Sequence, residues 1–100
     1  MLSNQEIQII ITLMLGFVKD FKPKSFAGHT PEETAELNLR GICYELCALL
    51  KLPIDSIKVD QIVSGFESRG EINKGVFTYR ISATLEGSVY KYKIEHRCFL

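Results

Sequence analysis

The sequence predicts an α+β domain: two N-terminal helices packed on one face of a C-terminal three-stranded antiparallel meander, in the order α-α-β-β-β. In the first half of the chain, apolar residues recur at three- and four-residue steps, which is the spacing of an amphipathic helix. Near the C-terminus they alternate with polar residues over two runs, which is the spacing of half-buried strands. Each element thus has one apolar face, and we expect the helices to cover that of the sheet.

The composition is that of one globular domain. Of the 100 residues, 46% are hydrophobic and 24% are charged, and a chain of this length builds a single core. Twelve basic and twelve acidic side chains leave no net charge, which argues against a strongly basic nucleic-acid binder. Three cysteines are too few for a disulfide scaffold. Because their number is odd, we expect a reducing compartment and a cytoplasmic protein.

The first helix is predicted over about residues 4-21. Ser3 and Glu6 stand three residues apart, which is the spacing of a capping box that starts a helix. Pro23 favours an end just before it. The isoleucines at 9-11 are β-branched, so a strand is the alternative for this segment.

The apolar surface of this helix is wider than one core-facing stripe. The run Ile7–Val18 contains only three residues that are not apolar. It is shorter than the roughly 20 residues of a bilayer span and lacks the flanks of a signal peptide, so we expect no membrane contact. A helix that is apolar nearly all round is buried nearly all round. We therefore expect a homodimer through this helix, or another protein, to cover outer residues such as Ile9 and Leu13.

A loop over 22-30 and a second helix over about 31-52 follow. The segment Thr30–Glu33 offers a Thr N-cap, a Pro at the first helical position and a Glu three residues after the cap, which together form a strong start signal. Pro53 ends the predicted helix. Residues 54-61 fit both a helical turn and a strand, and we leave them unassigned.

Three strands are predicted over about 62-72, 76-85 and 88-98. Two-residue loops at Asn73-Lys74 and Glu86-Gly87 would join them as a meander and place all their apolar residues on one face. The cross-strand pairs that these loops predict include Phe66 with Ile81, Glu67 with Arg80, Ala83 with Tyr90, Ile81 with Tyr92 and Arg80 with Lys93.

A metal or thiol site is the sharpest chemical hypothesis. Cys43 and Cys47 stand four apart on the second helix, while His96 and Cys98 stand two apart on the last strand, and a set of three cysteines and one histidine suits zinc. The spacing is not that of a known zinc module, and free cysteines are commonly buried as small apolar residues. The pair His96 and Cys98 lacks an orienting acid. We therefore expect no metal, no cofactor and no catalytic residue.

The outward face of the last two strands carries the alternative function. Arg80, Lys91, Lys93 and Arg97 alternate onto this face and suit phosphate neutralisation. Proteins that bind single strands stack the bases on aromatic residues, but here the aromatic residues of these strands alternate onto the opposite face. Nucleic-acid binding is therefore the second hypothesis.

The remaining features favour a non-catalytic module that binds another protein. Ile9 and Leu13 on the first helix, with Phe26 and His29 in the loop, are the candidate contact residues, because apolar and aromatic side chains anchor protein interfaces. A small neutral domain of this kind would occlude a surface of its partner. An adaptor, an inhibitor of a host system from a phage or mobile element, and an immunity protein against a toxin all act in this way.

Overall fold

A computed structural model describes residues 3–50, 58–72 and 75–99. Its elements are α1 (Asn4–Lys19), α2 (Pro31–Leu50), β1 (Asp60–Ile62), β2 (Gly65–Ile72), β3 (Phe77–Glu86) and β4 (Val89–Cys98). The strands form one antiparallel sheet in the order β1-β2-β3-β4. The α+β class and the order of helices before strands are confirmed. Predictions that fall on residues 51-57 and on Asn73 and Lys74 lie outside the described residues.

The predicted count of three strands is wrong. The segment predicted as one strand over 62-72 divides at a tight turn formed by Val63 and Ser64, so that β1 folds back on β2 with Gln61 opposite Phe66. A strand of three residues is too short for an alternating pattern to show, because such a pattern needs at least four.

Both helices begin where the sequence predicts. At α1 the Glu6 N–H donates to Ser3 Oγ at 3.2 Å, while the Ser3 N–H donates to the Glu6 carboxylate at 3.1 Å. At α2 the Glu33 N–H donates to Thr30 Oγ1 at 3.1 Å and the Thr30 N–H donates to the Glu33 carboxylate at 2.9 Å. These capping boxes satisfy N–H groups that have no partner inside the helix. α1 ends two residues earlier than predicted, at Lys19.

The core lies between a helix layer and one face of the sheet. α1 packs against β4, and α2 packs against β2 and β3. α1 contributes a buried stripe that includes Ile7 and Met14, in which the positions recur at helical spacing. The largest fully buried side chains are Ile7, Met14, Leu39, Ile42, Phe77 and Ile81.

The register of β3 with β4 differs from the predicted one by two residues. The loop is Gly87-Ser88, because Glu86 pairs with Val89. Gly87 has a φ of 68°, which the first position of a two-residue hairpin loop requires and which glycine adopts without strain. The predicted pair of Arg80 with Lys93 is therefore wrong, and Arg80 stands opposite Glu95. Opposite charges across strands stabilise a sheet, whereas like charges destabilise it.

The register of β2 with β3 is displaced from the prediction in the same way. Ile72 pairs with Phe77, so the connection has four residues rather than two. Glu67 faces Ser82 instead of Arg80, and Phe66 faces Ala83 instead of Ile81. A shift by two residues keeps every side chain on the same face of the sheet. The predicted faces are therefore confirmed although the predicted partners are not.

Candidate functional site

A cleft of about 460 Å³ lies between the end of α1, the following loop and α2. We call it the interhelical cleft. Its apolar lining is half-buried and consists of Phe17, Phe21, Phe26, Leu37 and Gly41. Four exposed charged residues border it, Asp20, Lys22, Lys24 and Glu45. An apolar interior with a polar border is the anatomy of a protein-binding surface.

Two phenylalanines at the end of α1 form the aromatic side of the cleft. Phe17 lies in the last turn of α1, and Phe21 follows two residues after the helix ends at Lys19, where its N–H donates to the Val18 carbonyl oxygen at 3.3 Å. Their ring centroids are 6.4 Å apart, and the Phe21 ring packs edge-on against Tyr92 of β4 at 5.2 Å. The sheet therefore supports the Phe21 ring through its contact with Tyr92.

A buried asparagine ties the loop to α2. Asn38 is 3% exposed. Its Oδ1 accepts the Lys24 N–H at 2.9 Å, and its Nδ2 donates to the carbonyl oxygens of Lys24 and Thr34, each at 3.0 Å. Burial raises the pKa of Tyr92, and a hydrogen bond to the Asn38 side chain opposes that rise. The loop backbone is thus held two residues before Phe26, which positions the Phe26 ring over the cleft.

Gly41 leaves the cleft open on the α2 side. It lies in the middle of α2, and a Cβ built on it would meet nothing within 4 Å. Glycine in a helix interior costs about 1 kcal/mol relative to alanine. No neighbouring group occupies the space that a side chain at this position would take, so packing does not explain the glycine. The missing side chain leaves the cleft wider.

The two loop residues predicted as contacts come together only in part. The Phe26 and His29 rings meet edge-to-face with centroids 6.3 Å apart. Phe26 lines the cleft, whereas His29 lies outside it, with its side chain 43% exposed and Nδ1 3.9 Å from Glu33 Oε2. Of this pair, the structure brings Phe26 to the cleft and leaves His29 beside the start of α2.

The outer residues of α1 form a small apolar strip. Ile9 and Leu13 are 54% and 46% exposed and lie in a shallow depression of about 290 Å³. Leu13 precedes Phe17 by one helical turn, so the strip leads towards the cleft. Ile10 and Leu15 pack against the core of the same chain. The apolar surface left outside is therefore smaller than the sequence predicts.

The predicted basic face is divided by acidic partners. Arg80 forms ion pairs with Glu95 and with Glu67, the latter at 3.3 Å, and Lys93 pairs with Glu86 at 3.4 Å. The Glu95 carboxylate raises the pKa of Arg80.

The other two basic residues of the predicted set, Lys91 and Arg97, have different surroundings. Arg97 lies over the exposed Phe99 ring at 5.9 Å, and Lys91 is exposed. Glu67 is only 7% exposed and also pairs with Arg69 at 3.1 Å. Much of the positive charge on this face is therefore neutralised within the chain.

The cysteines and His96 lie on different parts of the fold. Cys43 and Cys47 are buried on α2, which packs on β2 and β3, whereas His96 is exposed on β4, which packs against α1. Cys43 hydrogen bonds to Ser68, and burial raises the pKa of its thiol. Cys98 is half-buried at the end of β4. Among residues 3–50, 58–72 and 75–99, no three His, Cys, Asp or Glu side chains are grouped to hold a metal ion.

Sequence reasoning missed Phe17, Phe21, Asn38 and Gly41. The four-residue spacing of the two phenylalanines and the position of Asn38 within the apolar stripe of α2 were available signals, since a polar residue on a buried stripe needs hydrogen-bond partners.

Comparison of the chain with protein-family models, curated proteins and solved structures finds no match. In the described part of the chain, no helix combines the length and apolar character that crossing a membrane requires.

Proposed function

We propose that this chain is a small non-catalytic protein-interaction module that binds another protein through the interhelical cleft and occludes a surface of that partner. An inhibitor from a phage or mobile element, or an immunity protein against a toxin, would act in this way. The observation that carries the proposal is the cleft, in which three half-buried aromatic rings, Phe17, Phe21 and Phe26, lie between charged residues of both signs. The odd number of cysteines supports a cytoplasmic site of action.

The physical case rests on preorganisation. A few aromatic anchors commonly supply most of the energy of an interface. Because Asn38 already fixes the loop at Lys24, little conformational entropy remains to be lost when Phe26 meets a partner. The charges around the cleft would orient the partner and raise the association rate. Ile9 and Leu13 would extend the contact along α1.

A pair of glycine substitutions tests the cleft without damaging the fold. Gly41→Leu fills the cleft, while Gly16→Leu places the same side chain on an exposed site of α1 that has open space around it. Each change should stabilise its helix by roughly 0.5–1 kcal/mol. We expect a partner captured from a lysate of the source cells to bind the Gly41→Leu variant at least tenfold more weakly than the wild type. The Gly16→Leu variant, whose new side chain adds apolar surface beside Leu13, should bind no more weakly than the wild type. Equal binding by both variants would refute the cleft as the site.

The same capture separates the alternatives. It is carried out at moderate and high salt, with and without nuclease. Loss of every partner on nuclease treatment, with a salt dependence that Lys91→Ala reduces by about one unit of slope, would favour nucleic-acid binding by the open face of the sheet. A homodimer through α1 would instead appear in light scattering as a dimer that Ile9→Gln and Leu13→Gln together dissociate.

A further inference from the structure

β4 ends the sheet formed by the described residues, and it is a long edge. It has 10 residues, whereas β1 at the other edge has three. An exposed edge strand presents a row of unpaired N–H and C=O groups that can pair with another strand. Many proteins avoid such pairing by keeping their edge strands very short, but β4 is a long strand.

The hydrogen-bond pattern identifies which groups of β4 point outward. The Phe99 N–H donates to the Val76 carbonyl oxygen at 2.8 Å. Hydrogen-bonded positions alternate along an antiparallel pair, so the odd-numbered residues of β4, such as Lys93 and Glu95, bond to β3. The N–H and C=O groups of the even-numbered residues, Tyr90, Tyr92, Ile94, His96 and Cys98, therefore face the free edge.

Side chains on both faces of this edge define what an added strand would meet. On the helix side, Tyr90, Tyr92 and Ile94 are half-buried and pack against the core. Leu15 of α1 lies about 200° around the helix from Phe17, on the flank away from that residue, and it is half-buried against the same core. On the open side, Lys91, Lys93 and Arg97 outnumber Glu95. Arg80 pairs with Glu95 and Lys93 pairs with Glu86 at 3.4 Å, so Lys91 and Arg97 are the basic side chains that an acidic partner would meet.

A second copy of the chain fits this edge poorly. Antiparallel pairing of two β4 strands about a two-fold axis would place both helix layers on the same side of the sheet. Each α1 packs on its own β4, and paired strands are only about 5 Å apart. Packed helices need about 8–10 Å between their axes. The two α1 helices would therefore collide, whereas a single added strand carries no helix.

We propose that β4 binds an extended segment of a protein partner by strand addition. The segment alternates apolar residues, which contact Ile94 and Leu15, with acidic residues, which pair with Lys91 and Arg97. This inference rests on the outward backbone groups of β4 and not on the interhelical cleft, although the cleft residue Phe21 packs against Tyr92 of β4. Lysines on an edge strand can also serve to prevent strand pairing. If that is their role in β4, the edge would bind neither peptide of the following test.

The probe is a ten-residue peptide of alternating valine and glutamate with blocked ends, and its control alternates valine and lysine. NMR on the full chain measures how fast individual backbone amide protons exchange with water. At ten times the dissociation constant of the valine-glutamate peptide, we expect the outward amides of Tyr92, Ile94 and His96 to exchange about tenfold more slowly. The amides of Lys93 and Glu95 are the internal control, since they already bond to β3.

Two variants at one position test the backbone contact. His96→Pro removes an outward N–H that the sheet does not use, a position at which edge strands tolerate proline. His96→Ala removes the same side chain and keeps the N–H. We expect the alanine variant to bind the peptide like the wild type and the proline variant to bind at least tenfold more weakly.

Three results would overturn the proposal. They are the absence of amide protection with both peptides, equal protection by both peptides, and protection that rises with protein concentration when no peptide is present, which would identify a second copy as the occupant. If His96→Pro does not fold, the comparison of the two peptides on the wild-type chain still decides.

Discussion

The Asn38 side chain brackets the backbone of Lys24, accepting its N–H at 2.9 Å and donating to its carbonyl oxygen at 3.0 Å. Fourteen residues separate the two in sequence. The pair thus joins the loop after α1 to the middle of α2, and it is the contact that holds the interhelical cleft in shape. Its third hydrogen bond, to the Thr34 carbonyl oxygen, lies within α2 and orients the amide.

We expect Asn38→Ala to lower the free energy of unfolding by about 2 kcal/mol, because partly buried backbone groups of Lys24 lose their partners. Urea denaturation measures the change. The control is Asn4→Ala, at an exposed position in the first turn of α1, which should change stability by less than about 0.5 kcal/mol. A loss of similar size in both variants would contradict a special role for Asn38.

The capping boxes predict how stability responds to acid. Hydrogen bonds from Ser3 and Thr30 lower the pKa of Glu6 and Glu33 respectively below 4.5. A carboxylate whose pKa is lower in the folded state stabilises the fold above its unfolded pKa, and that contribution disappears as the pH falls through the folded value. We therefore expect stability to decline below about pH 4.5.

A glutamine substitution isolates the contribution of Glu33. Glutamine also completes a capping box but does not titrate, so Glu33→Gln should make the decline in unfolding free energy between pH 6 and pH 3 shallower. Glu45→Gln, in the middle of α2 and away from both caps, should leave the slope unchanged. An unchanged slope for Glu33→Gln would show that its carboxylate is not held by Thr30 in solution.

The thiols of Cys43 and Cys98 should differ in reactivity. Burial raises the pKa of Cys43, and the thiolate is the reactive form. Cys98 is half-buried on the edge strand. We compare two variants, one whose only cysteine is Cys43 and one whose only cysteine is Cys98. We expect a disulfide reagent at pH 8 to modify Cys98 at least tenfold faster than Cys43. The two rates should converge in urea, and equal rates in the folded chain would contradict the burial of Cys43.

Local interactions made parts of the fold predictable from sequence. Ser3 with Glu6, and Thr30 with Glu33, stand three residues apart, so each capping box is readable without knowledge of the rest of the chain. The faces of the strands were readable too, because alternation with period two does not depend on the partner strand. Helix starts and the apolar face of the sheet were predicted on these grounds.

The sequence by itself determined the α+β class, the helix starts and the sides of the sheet, because these depend on neighbours within one turn or one pleat. Only the tertiary structure decided the register, since a shift by two residues preserves the pattern and the pair of Arg80 with Glu95 depends on the loop at Gly87. It alone also decided the candidate site. Phe17 and Gly41 stand 24 residues apart, and they border one cleft only because two helices pack on the same sheet.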